Sequence, residues 1–172
     1  MAVLEGGQII AKALKSENVE YIFTLCGGTI ESLYEGCLNE NIKIIDTRVD
    51  QSATMMADAY ARVTGNVGVS SVTRGPGHAN MIYGLATAYM MGSPLFSISG
   101  NTDADQLDMG GSQEYNQTGM VKPITKWARL VMQTERLPEY VSTGFRKVLG
   151  GRPGPVHLSV PYDILYDKID DA

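Results

Sequence analysis

Short runs of β-branched and other apolar residues alternate along the chain with longer stretches of helical periodicity. The apolar runs fall at residues 21–25, 42–46, 67–73, 95–99, 128–132 and 156–160. The helical patterns fall near residues 6–17, 29–39, 51–64, 78–91 and 135–149. Strands that alternate with helices of this length need crossover connections, which produce a sheet with helices on both faces. The pattern therefore predicts an α/β fold with a doubly wound, mostly parallel six-stranded sheet, and the near-continuous apolar character of the strands fits burial on both sides.

The length of the chain limits the number of domains. With 172 residues it is long enough for one well-buried domain and too short for two ordinary ones. We therefore expect a single domain over residues 1–172, and no repeat or internal linker contradicts this. The formal net charge of −5 argues against nucleic acid or an anionic membrane as a partner.

Several features of the sequence favour a cytoplasmic location. The N-terminal stretch has Glu5 ahead of its apolar positions and reads as an amphipathic helix, not as a signal peptide. The least polar window, residues 81–100, is interrupted by glycine and proline and does not read as a membrane span. Cys26 and Cys37 lie in different predicted elements and are interpreted as free thiols in a reducing compartment. The acidic tail, residues 167–172, is expected to be a solvated terminus.

Four polar or glycine-rich features follow the first four predicted strands. They are the CGGT motif at 26–29, Asp50, the TRGPGHAN motif at 73–80, and the long irregular segment 100–119. Ligands of doubly wound sheets bind beyond the carboxyl ends of the strands, so these features are expected to converge on one edge. A loop as long as 100–119 in a compact domain is more often functional than not.

Each feature also has an ordinary structural explanation. The CGGT motif can be a plain strand-to-helix turn. The segment Gly75–Gly77 can be a rigid turn, or its backbone N–H groups at a helix start can hold an anion or a flat heterocycle. Asp50 can cap the helix that follows it or take part in chemistry. His78 and His157 have no partner at metal-ligand spacing and are interpreted as structural, and no metal site is predicted in this chain.

The order of these motifs resembles a known family, the pyrimidine-binding (PYR) domain of thiamine-diphosphate enzymes of the acetolactate synthase type. The resemblance runs from GGQIIAKALKSENVEYIFTLCGG to GRPGPVHLSVPYDIL. Its most specific block is MADAYARVTGNVGVSSVTRGPGHANMIYGLATAYMMGSPLFSISG, and SQEYNQTGMVKPITKWA is similar to the family's next loop and strand entry. The combination is specific for the domain and uninformative about the substrate.

The resemblance implies a cofactor and the residues that hold it. Family members bind thiamine diphosphate between two domains: the PYR domain holds the aminopyrimidine ring, and a separate domain holds Mg²⁺ and the diphosphate. Carried over by position, the cofactor-binding residues are Leu25, Cys26, Gly27, Gly28, Asp50, Thr73, Gly75, Pro76, Gly77 and Asn80. Asp50 and Gln113 are the implied catalytic residues, and Asn80 and Gln113 would face the cofactor or the substrate.

Asp50 matches the family's glutamate, which hydrogen-bonds the first nitrogen of the pyrimidine ring. In relatives this contact favours the imino tautomer, whose neighbouring nitrogen deprotonates the thiazolium to an ylide. Such a role needs a carboxyl group in an apolar, desolvated pocket. The family's His-Glu pair is Val49-Asp50 here, so the acid is one methylene shorter, a deficit of about 1 Å. The usual proline of the first loop is also replaced, by Cys26.

The chain lacks the Gly-Asp-Gly motif with a distant Asn that binds Mg²⁺ and diphosphate in the family, and it ends at Ala172. We therefore expect the pyrimidine-binding subunit of a split enzyme, inactive alone, that acts on a 2-oxo acid by decarboxylation or carboligation. Its partner subunit would carry the diphosphate-binding (PP) domain with Mg²⁺, in an α2β2 assembly. Three alternatives stay open: a fragment of a longer enzyme, a non-catalytic PYR-like scaffold or regulatory subunit, and a general nucleotide-binding α/β protein.

Overall fold

The computed structural model describes residues 3–170, and all six predicted strands are present in it. The strands of the chain are β1 (Val3–Glu5), β2 (Tyr21–Thr24), β3 (Lys43–Asp46), β4 (Gly68–Val72), β5 (Leu95–Asn101), β6 (Trp127–Leu130), β7 (Val156–Pro161) and β8 (Lys168–Asp170). Six of them form one sheet in the order β3-β2-β4-β5-β7-β6, and every neighbouring pair is parallel. The α/β fold predicted from the sequence is confirmed.

Within the described residues, seven α-helices accompany the sheet. They are α1 (Gly6–Ser16), α2 (Glu31–Asn39), α3 (Asp50–Thr64), α4 (Pro76–Met91), α5 (Gln117–Val121), α6 (Leu137–Leu149) and α7 (Tyr162–Tyr166). The sequence did not predict α5 and α7, because five residues are too few to show helical periodicity. Helices α3 and α4 both end at a glycine with positive φ, Gly65 and Gly92, a conformation that a side chain would disfavour.

The helices cover both faces of the sheet. On the first face α1 packs against α2, α6 and α7, and on the second face α3 packs against α4, and α4 against α5. The larger core lies on the first face and includes Ile10, Leu14, Ile22, Leu33, Phe96 and Leu158. The core of the second face is smaller and is formed by Phe23, Ala53, Ala57, Val72, Met81, Leu85, Ala88, Leu95 and Val121. This arrangement is the doubly wound one.

The C-terminal residues differ from expectation. Strand β8 pairs antiparallel with β1 in a separate two-stranded ribbon, so the segment is not simply a solvated tail. Ile169 packs against the larger core, and Lys168 Nζ lies 3.6 Å from Glu5 Oε1. One apolar residue between two charged ones is too short a pattern to predict a strand. Residues 171 and 172 of the predicted tail lie outside the described residues.

Between residues 3 and 170, no helix combines the length and the apolar character needed to cross a bilayer. The longest described helix, α4, has 16 residues.

Candidate functional site

The predicted site lies where the strand order of the sheet reverses. From β2 the chain crosses to β3 at one side, and from β4 it crosses to β5 at the other, so the loops after β2 and β4 begin beside each other. A Cβ atom added at Gly27 would lie 2.4 Å from Thr73 Cβ, so the two loops touch without room for a side chain between them. The Thr29 hydroxyl joins them further, because its Oγ1 lies 2.9 Å from Thr73 Oγ1 and accepts from the Arg74 amide at 3.3 Å. Ligands bind at such reversal points in open α/β sheets.

Asp50 is the first residue of α3 and is 5% exposed. Its carboxylate does not cap the helix: Val49 occupies the cap position, and the structure of residues 3–170 shows no side-chain hydrogen bond at this cap. Asp50 Oδ2 instead accepts a hydrogen bond from Asn80 Nδ2 of α4 at 3.2 Å. The other oxygen, Oδ1, is buried and has no hydrogen-bond partner within residues 3–170. Asp50 is therefore not a helix cap, and its Oδ1 is a buried acceptor that a ligand could reach.

The Gly75–Gly77 turn forms the wall next to this carboxylate. Gly75 has φ 60° and ψ −120°, a conformation that only glycine adopts readily. Pro76 opens α4, where its missing N–H costs nothing. A Cβ atom at Gly77 would lie 2.7 Å from Thr73 Cγ2 and 3.0 Å from Asp50 Oδ1. Glycine at position 77 thus lets the backbone come close to the acid.

Gln113 reaches the same turn from the long loop. A Cβ atom at Gly75 would lie 2.5 Å from Gln113 Cβ and 2.9 Å from its carbonyl oxygen. Gln113 itself has φ 61°, which is uncommon for a residue with a side chain. Its side chain is exposed at the edge of the sheet. The predicted convergence of four features on one edge is therefore observed.

The first loop is packed on one side and open on the other. Leu25 is half-buried, whereas Cys26 and Gly28 are exposed, and a Cβ atom at Gly28 would meet nothing within 4 Å. Cys26 and Cys37 are both free thiols, as expected. Leu25, Cys26 and Gly28 thus border the site, and within residues 3–170 none of them is hydrogen-bonded to the Asp50 carboxylate.

Sequence reasoning missed two tyrosines that bind the backbone of these loops. The Tyr34 hydroxyl of α2 donates to the Leu25 carbonyl at 3.1 Å, and the Tyr115 hydroxyl donates to the Gly75 carbonyl at 3.1 Å. Burial raises the pKa of Tyr34, and burial also raises the pKa of Tyr115 to about 12, so both remain protonated donors at neutral pH. For Tyr115 the sequence does carry a signal, since it is the one aromatic residue in the polar segment 100–119.

Two buried histidines lie behind the turn. His157 of β7 is fully buried, with Nδ1 2.9 Å from Ser97 Oγ and Nε2 3.3 Å from Ser99 Oγ. His78 of α4 is hydrogen-bonded through Nδ1 to the Tyr115 hydroxyl. Burial lowers the pKa of His78 to about 4 and holds that of His157 well below its usual range, so both rings are neutral at neutral pH. The described part of the chain contains no group of three His, Cys, Asp or Glu residues that could hold a metal ion.

Comparison with known proteins shows the family to which this chain belongs. Residues 4–120 match the model of a family described as thiamine pyrophosphate enzyme, N-terminal TPP binding domain. The chain belongs to this family. Thiamine pyrophosphate is another name for thiamine diphosphate, so the family resemblance drawn from the motifs is confirmed.

Several relatives of this TPP-binding domain are enzymes. The chain is 38% identical over 166 residues to the acetolactate synthase large subunit of Buchnera aphidicola subsp. Schizaphis graminum, covering 96% of this chain and 29% of the relative. It is 37% identical over 166 residues to the acetolactate synthase isozyme 3 large subunit of Escherichia coli, with the same shares covered. It is 35% identical over 161 residues to 2-hydroxyacyl-CoA lyase 2 of Xenopus laevis, covering 94% of this chain and 25% of the relative. This TPP-binding domain therefore spans less than a third of the length of these relatives.

Proposed function

We propose that this chain binds the aminopyrimidine ring of thiamine diphosphate, with Asp50 as the partner of a ring nitrogen. It would act as the pyrimidine-binding subunit of a split enzyme for a 2-oxo acid, by decarboxylation or carboligation. The observation that carries the proposal is the buried Oδ1 of Asp50 beside Gly77, which has no hydrogen-bond partner in the described part of the chain. A buried acceptor without a partner costs about 1–3 kcal/mol, and a ligand that shares a proton with it would recover that cost.

The residues around Asp50 fit this role. Asn80 holds Oδ2 by its amide, which orients the carboxylate and leaves Oδ1 for the ligand. Gly77 lets the backbone of the turn lie close to the acid. Thiamine diphosphate, when bound, supplies a thiazolium carbon that attacks a ketone carbonyl. Asp50 would hold and exchange the proton at the ring nitrogen, and Gln113 would face the substrate from the loop.

The substitution of the family's glutamate by Asp50 affects the expected rate. The acid is one methylene shorter, and a misplacement of about 1 Å can cost on the order of a hundredfold. Asp50 already lies at the first residue of α3, with the Gly77 backbone against it. We therefore expect turnover that is slower than a glutamate at this position would support.

An exposed apolar surface supports the proposal that a partner subunit binds this chain. Asn80, Tyr83 and Met90 follow the spacing of one side of α4, and Tyr83 and Met90 are 60% and 76% exposed. Met55 and Met56 of the adjacent α3 are 40% and 39% exposed. Exposed apolar patches of this kind mark interaction sites. Since Asn80 contacts Asp50, a partner that covers this surface would also reach the cofactor site.

We further propose that this partner carries the PP domain, with Mg²⁺ and the diphosphate, in an α2β2 assembly in the cytoplasm. The free thiols of Cys26 and Cys37 agree with a reducing compartment. The acidic composition argues against nucleic acid as a partner.

The test combines the chain with a PP-domain partner, thiamine diphosphate, Mg²⁺ and a panel of 2-oxo acids. Asp50→Asn keeps the shape of the side chain and removes its charge, and we expect it to lower turnover about 10²-fold or more. The turnover of Asp50→Glu is expected to equal or exceed that of the wild type. Wild-type turnover in Asp50→Asn or Asp50→Ala would exclude the role of Asp50, and turnover by the chain alone would exclude the split enzyme. Partner binding without any turnover in the wild type would favour the scaffold or regulatory alternative.

A further inference from the structure

We propose that His78 and Tyr115 form a positioning pair that holds both the Gly75–Gly77 turn and Gln113 in place beside Asp50. The pair does not touch the proposed cofactor or substrate, and it acts through the residues that do. Its relevance to catalysis rests on the proposed function, whereas its existence as a structural device does not.

The direction of the hydrogen bonds follows from the groups involved. The Tyr115 hydroxyl has one proton and contacts both the Gly75 carbonyl oxygen and His78 Nδ1. A carbonyl oxygen only accepts, so the hydroxyl proton goes to Gly75. Tyr115 must then accept the proton of His78 Nδ1, which assigns the neutral Nδ1–H tautomer to this ring. The two rings meet edge-on, with centroids 5.5 Å apart.

The His78 ring is itself fixed to the centre of the sheet. It is fully buried, and its ring centroid lies 5.0 Å from that of His157 in an edge-on contact. His157 belongs to β7 and is hydrogen-bonded to Ser97 of β5. A continuous chain of contacts therefore runs from two central strands through both histidines to Tyr115.

The residues held by the pair need such support. Gly75 adopts a conformation that is open only to glycine, and it packs directly on Gln113, whose φ of 61° is sparsely populated for a residue with a side chain. Conformations of this kind persist only where the surroundings enforce them. The first turn of α4 has a second anchor, because the Ala79 amide donates to the same Gly75 carbonyl at 3.0 Å. Losing the tyrosine hydroxyl should therefore release the loop around Gln113 more than the helix.

The experiment compares Tyr115→Phe with the wild type in the full chain without cofactor. Tyr140→Phe is the matched control: its ring stacks on Trp127 in a similarly half-buried place, and its hydroxyl makes no hydrogen bond to the rest of the described chain. In Tyr115→Phe we expect amide exchange in residues 111–115 to rise about tenfold, the equivalent of one hydrogen bond. We also expect the ring-nitrogen NMR signals to show His78 as the Nδ1–H tautomer in the wild type and to shift in the variant.

A conservative variant provides the second test. His78→Asn keeps an N–H donor near the place of Nδ1, whereas His78→Ala removes it, so slow exchange at 111–115 should be retained more in the first than in the second.

In the assembled enzyme Tyr115→Phe should lower kcat/KM about tenfold, with cofactor affinity changed less than by Asp50→Asn. Unchanged exchange and an unchanged His78 tautomer in Tyr115→Phe would overturn the pair. Altered exchange with unaltered kcat/KM would overturn its positioning role. An inactive wild-type assembly would refute the proposed function, while the exchange and NMR results would still decide whether the pair exists.

Discussion

The two faces of the central sheet are buried to a similar degree but have different chemistry. In β5, Phe96 and Ile98 point into the larger core of the first face, while Ser97 and Ser99 point to the second face. In β7, the residues of the first face are Val156, Leu158 and Val160, and those of the second are His157 and Ser159. All of these side chains are fully buried. The first face is a hydrophobic core, and the second contains a hydrogen-bonded polar network.

This difference separates stability from function within one sheet. The helices of the second face, α3 and α4, also carry Asp50 and Asn80, and α4 begins at the Gly75–Gly77 turn. Small residues such as Ala53 and Ala57 let these helices lie close to the strands and to each other. The first face supplies most of the apolar burial, so the second can hold buried polar groups that would be costly without partners. Four predictions test this comparison.

The largest effect is expected from Phe96→Ala on the first face. Phe96 is fully buried and stacks on Phe145 with ring centroids 5.0 Å apart. Truncation of a buried phenylalanine lowers the free energy of unfolding by about 3–5 kcal/mol, because it removes apolar contacts and leaves a cavity. Chemical denaturation should show this loss as a lower midpoint denaturant concentration. If Phe96→Ala lowered the free energy of unfolding less than Ser97→Ala, the division between the two faces would be contradicted.

Acidification should destabilise the protein through the second face. An unfolded histidine titrates near its usual pKa of 6.5, whereas the pKa of His78 is about 4 in the fold because the ring is buried. Between these values the unfolded chain binds more protons, so this contribution to stability is complete above about pH 6.5 and is lost as the pH falls toward 4. The expected loss is about 3 kcal/mol for this ring, and His157 shifts in the same direction.

Unfolding free energies measured from pH 7 to pH 4 check this expectation. His78→Asn removes one of the two titrating rings and should give a shallower dependence on pH. An equal slope in the variant and the wild type would show that other groups control acid stability.

Ser97→Ala should have a smaller effect than Phe96→Ala, its neighbour in β5. The serine hydroxyl bonds the Val156 carbonyl at 3.0 Å and His157 Nδ1 at 2.9 Å. Its removal leaves a buried ring nitrogen without this partner, which costs about 1–3 kcal/mol. The same denaturation measurement compares the two variants, and proton NMR of the His157 ring should show a changed environment. If Ser97→Ala leaves the free energy of unfolding unchanged, the polar network adds little to stability.

The smallest effect is expected on the outer side of the second face. Met90 is 76% exposed on α4, so Met90→Ser should change the chain's own stability by less than about 0.5 kcal/mol. If a partner covers this surface, the same variant should weaken association measurably in a binding titration. Leu38→Ser is the control, since Leu38 is 68% exposed on α2, which lies on the first face of the sheet. If both variants weaken association equally, the surface around Met90 is not the site that the partner covers.

Much of the fold could be predicted because its signals are local. The six strands and five longer helices follow from periodicity, and the positions of Asp50, Gly75 and Gln113 at one edge follow from parallel strand order. Nearly continuous apolar runs predict the strands, but this pattern gives no sign that Ser97 and His157 belong to a buried polar face. Alternation of polar and apolar residues usually indicates a solvated face, and the sequence has no local mark that separates a buried serine from an exposed one.

The sequence by itself determined the α/β fold, the family and the set of residues at the edge of the sheet, because these depend on short-range patterns and on their order. Only the tertiary structure decided how those residues are paired. It left Asp50 Oδ1 without a hydrogen-bond partner among residues 3–170, brought the Tyr115 hydroxyl to a carbonyl 40 residues earlier in the chain, and placed His78 against His157. Such contacts join residues far apart in sequence, and their distances are fixed by the packing of helices on the sheet.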